Sequence, residues 1–172
     1  MSLFMGAPIL ADVDRIVTSQ DWEDIALTIA AQPDVPRNIT VTLTDANDSV
    51  SGVCTIIGTD IRGRTITEVM TVALGTGKVF TGTKIFASVT SATISGSSGE
   101  LNGTDVVTVG VGNVIGTPMD LDSVATVRHA YLGGTKLTPT VSTGESTSGL
   151  NASAGTYDGS KMLHAFLQVA RT

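Results

Sequence analysis

The chain is short of nearly every group that covalent chemistry uses. It has 1 cysteine, 2 histidines and a charged fraction of only 15%. One thiol, Cys54, cannot close an internal disulfide or build a multi-thiolate zinc site. Its setting in GVCTIIG, beside Val53, Ile56 and Ile57, is that of a core thiol rather than a reactive one. Lys and Arg number 10 against 16 Asp and Glu, the net charge is −6, and no Lys/Arg run occurs. Nucleic-acid backbones are held by clustered cations that displace counterions, so no nucleic-acid partner is expected. No apolar run reaches the roughly 18 residues of a membrane-spanning helix. The start, MSLFMGAPILADVDR, lacks the basic n-region of a secretory leader. No membrane partner is expected, and nothing points to an oxidising compartment. In that setting the N-x-S/T sequons at Asn38, Asn47, Asn102 and Asn151 carry little weight.

Motifs that could carry catalysis fail on spacing. His129 and His164 lie in strand patterns, away from any serine-nucleophile motif or carboxylate cluster. A nucleophilic triad is defined by geometry, so the many Ser and Asp residues add no support. GTGK at 75–78 lacks the leading glycine and the Ser/Thr after Lys78 that a phosphate loop needs. GVGNVIG at 110–116 has the wrong spacing for a dinucleotide fingerprint, and its glycines suit a bent or bulged strand. Asp45, Asn47 and Asp48 offer oxygen ligands, but Val50 and Ile56 stand where a calcium loop needs glycine and glutamate. Asp120 with Asp122 is no stronger. These residues read as turn acids. No catalytic, cofactor-binding or metal-ligating residue is assigned, no cofactor is expected, and the chain is not expected to be an enzyme.

What the chain does have is β pattern. Aromatics are 4% of the residues and glycines number 19. The core must therefore rest on Val, Ile, Leu, Ala and Met, and the glycines suggest many turns. In RNITVTLT, Ile39, Val41 and Leu43 alternate with Thr40, Thr42 and Thr44, a strand with one apolar and one wet face. DANDS (45–49) is a turn by composition, and Val53–Ile57 a short inner strand. Thr65–Ala73 places Ile66, Met70 and Val72 on one face with Glu68 the odd member, as near a sheet edge. A strand or strand pair follows over 84–94, then a hairpin loop over 95–103 with Asn102-Gly103 at its turn. Further strands are expected at 104–109, 123–132 and 162–169. In the last, Leu163, Ala165, Leu167 and Val169 line one face, and Met162, His164, Phe166 and Gln168 the other. Apolar groups on both faces suit a central or interface-facing strand.

Residues 21–31 are ambiguous. Asp21 and Asp24 form a weak capping pattern, but Ile25, Leu27 and Ile29 alternate, which favours a strand over 24–31. Residues 1–20 read as an extended N-terminal arm. Leu3, Phe4, Met5, Ile9 and Leu10 are its apolar members and the candidate contacts to a capsid or neighbouring subunit. Packing along its own domain is the alternative. Residues 21–172 read as a single β domain, with 133–160 a long polar loop, flexible or ordered in an assembly. The fold class expected is all-β, a β-barrel or β-sandwich of antiparallel strands.

The order of several short units resembles the head decoration, or cement, proteins of tailed bacteriophages. These units are PRNITVTLTDAND (36–48), IIGTDIRGRTITEVMTV (56–72), FTGTKIFASVTSATISG (80–96) and VTVGVGNVIGTP (107–118). Within them stand a GTD-x-x-G-x-x-I-T-E unit at Gly58–Glu68 and a GTK-x-F-x-x-V-T-x-x-x-I unit at Gly82–Ile94. A GTYDG element at Gly155–Gly159 precedes the last strand. The resemblance implies a structural virion protein on the outer capsid surface, made in the host cytoplasm. Its partners would be the major capsid protein and itself, as a homotrimer or a dimer. A tail-tube or fibre-associated virion protein is the alternative. The resemblance carries over no catalytic residue.

Overall fold

The computed structural model describes residues 2–23, 25–44, 50–72, 78–98, 105–119, 121, 127–144, 146–151 and 157–167. Its elements are all strands: β1 (Ser2–Phe4), β2 (Asp12–Asp21), β3 (Arg37–Thr44), β4 (Ser51–Thr59), β5 (Thr65–Val72), β6 (Lys78–Phe86), β7 (Ser88–Ser98), β8 (Val106–Gly116), β9 (Val127–Leu132), β10 (Thr135–Leu137), β11 (Thr140–Ser142), β12 (Gly149–Asn151) and β13 (Leu163–Leu167). The expected all-β class holds. Among the described residues no helix is long and apolar enough to cross a membrane.

The pairings form a curled barrel-like body with a small second layer. One sheet runs β11-β12-β8-β3-β6 with β2 also on β8, and another runs β5-β4-β7. Two seams join them. On one side the 25–30 segment bridges β7 and β2. Leu27 N–H donates to Ala92 O at 2.8 Å, Ile94 N–H to Ile25 O at 2.9 Å, and Ala30 N–H to Ile16 O at 2.7 Å. On the other side Glu68 of β5 reaches the edge of β6. Its Oε1 accepts from Thr83 N–H at 2.6 Å and Lys84 N–H at 3.2 Å, while Lys84 Nζ donates to Thr67 O at 2.6 Å. Gly82 opposite has no Cβ, which leaves room for that carboxylate. The alternating apolar residues of β3, β4, β5, β7 and β8 point inward, giving a core that includes Ile39, Val41, Leu43, Cys54, Ile56 and Val109. Trp22 is buried against this core, its indole N–H on Ser51 O at 3.2 Å.

A second core lies beyond the barrel. The remaining sheet runs β1-β13-β9-β10. Its inner face, Leu3, Ala130, Leu132, Leu163, Ala165 and Leu167, packs with Ile115, Leu121, Leu150 and Tyr157. Strand β8 serves both cores, with Val107, Val109 and Val111 in the first and Ile115 in the second.

Several expectations need correction. Residues 1–20 do not form a free arm. Ser2–Phe4 pair with β13, and Met5 and Gly6 exchange backbone hydrogen bonds with Leu163. Asp12–Asp21 form β2 on β8, with Ile16 and Val17 fully buried. Ile9 is held by the ion pair of buried Arg37 with partly buried Asp34: its N–H donates to Asp34 Oδ2 at 2.8 Å and its carbonyl accepts from Arg37. Burial of Leu3, Met5 and Ile16 is the physical reason the segment stays down. The 133–160 stretch is not one polar excursion, since it contributes β10, β11 and β12, and Leu150 and Tyr157 anchor it in the second core. The 24–31 strand reduces to an isolated Ala26–Thr93 bridge. The strand expected at 104–109 extends to Gly116, while the strand-pair reading of 84–94 holds as β6 and β7.

The wet threonine face of β3 is partly covered. Thr40 is buried, and the backbone of Asp12 and Val13 lies against Gly110 in the neighbouring strand, an approach that a Cβ would block. Asn38 is buried with its amide on Gly82 O and Val114 N, a packing role. The turn at 45–49, the Asn102-Gly103 turn, the start of the 123–132 strand and residues 168 and 169 of the last strand lie outside the described residues.

Candidate interaction surface

The outward face of the β1-β13-β9-β10 sheet is set by register. Phe4 pairs with His164, His164 with Tyr131, and Tyr131 with Lys136. One step along the strands, Ser2 pairs with Phe166, and Phe166 with His129. Residues directly opposite in paired strands share a face. Two rows of side chains therefore cross the sheet on the side away from the second core. The longer row runs from Phe4 to Lys136, about 14 Å over three strand spacings.

Aromatic groups gather on this face. Among the described aromatics, Trp22, Phe86 and Tyr157 are buried and Phe80 packs against the barrel core. The others, Phe4, Tyr131 and Phe166, all stand here together with both histidines. Phe4 is 69% exposed and Phe166 41%. Phe4 meets His164 at 4.4 Å with planes at 66°, and Tyr131 meets Phe166 at 5.9 Å and 88°. His129 lies 6.3 Å from Tyr131. Edge-to-face contacts of this kind hold the rings in place. The four strands read SLF, VRHAYL, TKL and LHAFL. They contain no carboxylate or carboxamide.

Two hollows flank it. Beside Phe4 a groove of about 270 Å³ is walled by Val35, Pro36, Ile61 and Pro118. At the opposite end a cavity of about 260 Å³ lies between β9 and the link from β10 to β11.

The sequence-derived contact residues divide. Phe4 is on the exposed face. Leu3 and Met5 point into the second core. Ile9 and Leu10 line a separate open depression with Asp12 and Asp158. His129, Tyr131 and Lys136 were missed, because only strand register brings them to Phe4. The double-faced apolar pattern of β13 was the one signal for His164 and Phe166.

Among the described residues no group of three or more His, Cys, Asp or Glu side chains could hold a metal ion. The candidate acids Asp45, Asn47 and Asp48, and Asp120 with Asp122, lie outside the described residues. Compared with known proteins, the chain matches no family model, no curated protein and no solved structure.

Proposed function

We propose that this is a structural virion protein that binds the outside of a tailed-phage capsid and stabilises contacts between major capsid subunits. The observation that carries the reading is the exposed aromatic face on a chain otherwise poor in aromatics. Exposed rings of this kind are the side chains that dominate protein–protein affinity. The resemblance of the strand units to decoration proteins supplies the partner. Self-association, as a homotrimer first and a dimer second, fits a clip between shell subunits. Once one subunit is engaged, the next contact becomes effectively intramolecular.

The test is co-sedimentation of the purified protein with phage heads that lack it. Saturable binding and a higher disruption temperature of the heads are expected. Phe4→Ser with Phe166→Ser should weaken binding at least about tenfold. Both side chains are exposed, so the fold should survive. Failure to bind heads, or full binding by that variant, overturns the reading. Assembly of the pure protein into tubes would move it to a tail-tube role.

A further inference from the structure

We propose that the cavity between β9 and the β10–β11 link is a carboxylate-binding socket that takes an extended acidic segment of a partner protein. Its lining combines Arg128, His129 and Lys136 with the apolar Leu137, Pro139 and Val141. A lining of both kinds suits an extended chain that carries acidic and apolar side chains in alternation.

The decisive feature is the state of the cations. Arg15 donates to Gln32 O, Arg37 pairs with Asp34, Arg64 with Asp60, Lys161 with Asp158, and Lys84 donates to Thr67 O. Arg62 and Lys78 are also engaged. Among the described residues, Arg128 and Lys136 alone of the Lys and Arg side chains hold no hydrogen bond or ion pair, and both line this one cavity. The protein carries 16 acids against 10 Lys and Arg. Leaving two cations unpaired together, on strands that hold no acid, makes a positive site on a negative molecule. A bidentate guanidinium with a nearby ammonium is a fitting receptor for carboxylates. Nucleic acid is disfavoured, since two cations release few counterions.

This inference concerns the partner's chemistry and does not need the partner to be a capsid. The probe is a fluorescein-labelled hexapeptide of alternating glutamate and valine. Its glutamine counterpart and a thymidine oligonucleotide of equal charge serve as comparisons, all titrated into the full chain at low salt by fluorescence anisotropy. The acidic peptide should bind at one site and the glutamine peptide at least about tenfold more weakly. Arg128→Gln with Lys136→Gln should lose about tenfold or more. Arg15→Gln, which removes one charge elsewhere, should bind as the parent does. No binding of the acidic peptide, equal binding by the double variant, or tighter binding of the oligonucleotide would each overturn the socket. Head binding without peptide binding would separate its failure from that of the virion reading.

Discussion

Cys54 shows how far a single residue can be read. Its neighbours marked it as a core thiol, and β4 buries it completely within the barrel. Burial pushes its thiol up to about 12, since a thiolate is penalised in apolar surroundings. The thiolate is the nucleophile, so the folded protein at pH 8 should not react with an aromatic disulfide reagent, whereas the unfolded chain should react at once. Cys54→Ala should cost about 1 kcal/mol, the price of a small cavity, and leave head binding unchanged. Fast labelling of the native protein, or loss of binding at full stability, would show that the thiol does more than pack. Glu68 was legible in the same way. An acid on the inward face of an alternating strand needs hydrogen-bond donors, and it finds the N–H groups of Thr83 and Lys84 at the seam.

At the scale of elements, alternation carried the reading where strands pair along their length. β4, β5 and β13 follow a period of two because one face of each is buried, whereas β3 alternates in sequence although most of both its faces is covered. Residues 25–30 alternate just as clearly but make only scattered hydrogen bonds, since they close a gap rather than join a ladder. The β4–β5 hairpin turn depends on Asp60, which was visible only as part of a motif. Asp60 is 3% exposed. Burial pushes its carboxyl up, but hydrogen bonds from the Arg64 backbone and guanidinium and from Arg62 N–H, with the charge of Arg64, together hold it below its ordinary value of 3.8. A lowered folded value means stability that is present above the unfolded value and lost as pH falls through the folded one. Asp60→Asn should therefore be less stable than the parent in urea at pH 6. The gap should narrow as pH drops below 3.8. A gap that stays constant down to pH 3 would show that the charge on Asp60 does not support the turn.

At the scale of the whole molecule, sequence pattern could not show how the ends of the chain close two cores. Leu3 and Met5 complete the second core, Ile16 and Val17 the first, and each is paired across a separation that no local period encodes. The same limit hid the exposed face, since Phe4, His164, Tyr131 and Lys136 meet only through the registers of β1, β13, β9 and β10. Deletions should therefore act in steps. Removing residues 1–4 takes Leu3 from the second core and Phe4 from the surface. It should cost about 2 kcal/mol or more, weaken head binding, and speed amide exchange in β13 and β9 while β3 and β8 stay protected. Removing residues 1–16 also takes the buried Ile16, the first half of β2 and the hydrogen bond that Ala30 N–H donates to Ile16 O. The barrel then loses a wall, and cooperative urea unfolding should disappear. If the longer deletion unfolded with the parent's midpoint, β2 would be a lid on a barrel already complete without it, and the N-terminal segment would be free to leave for a neighbour.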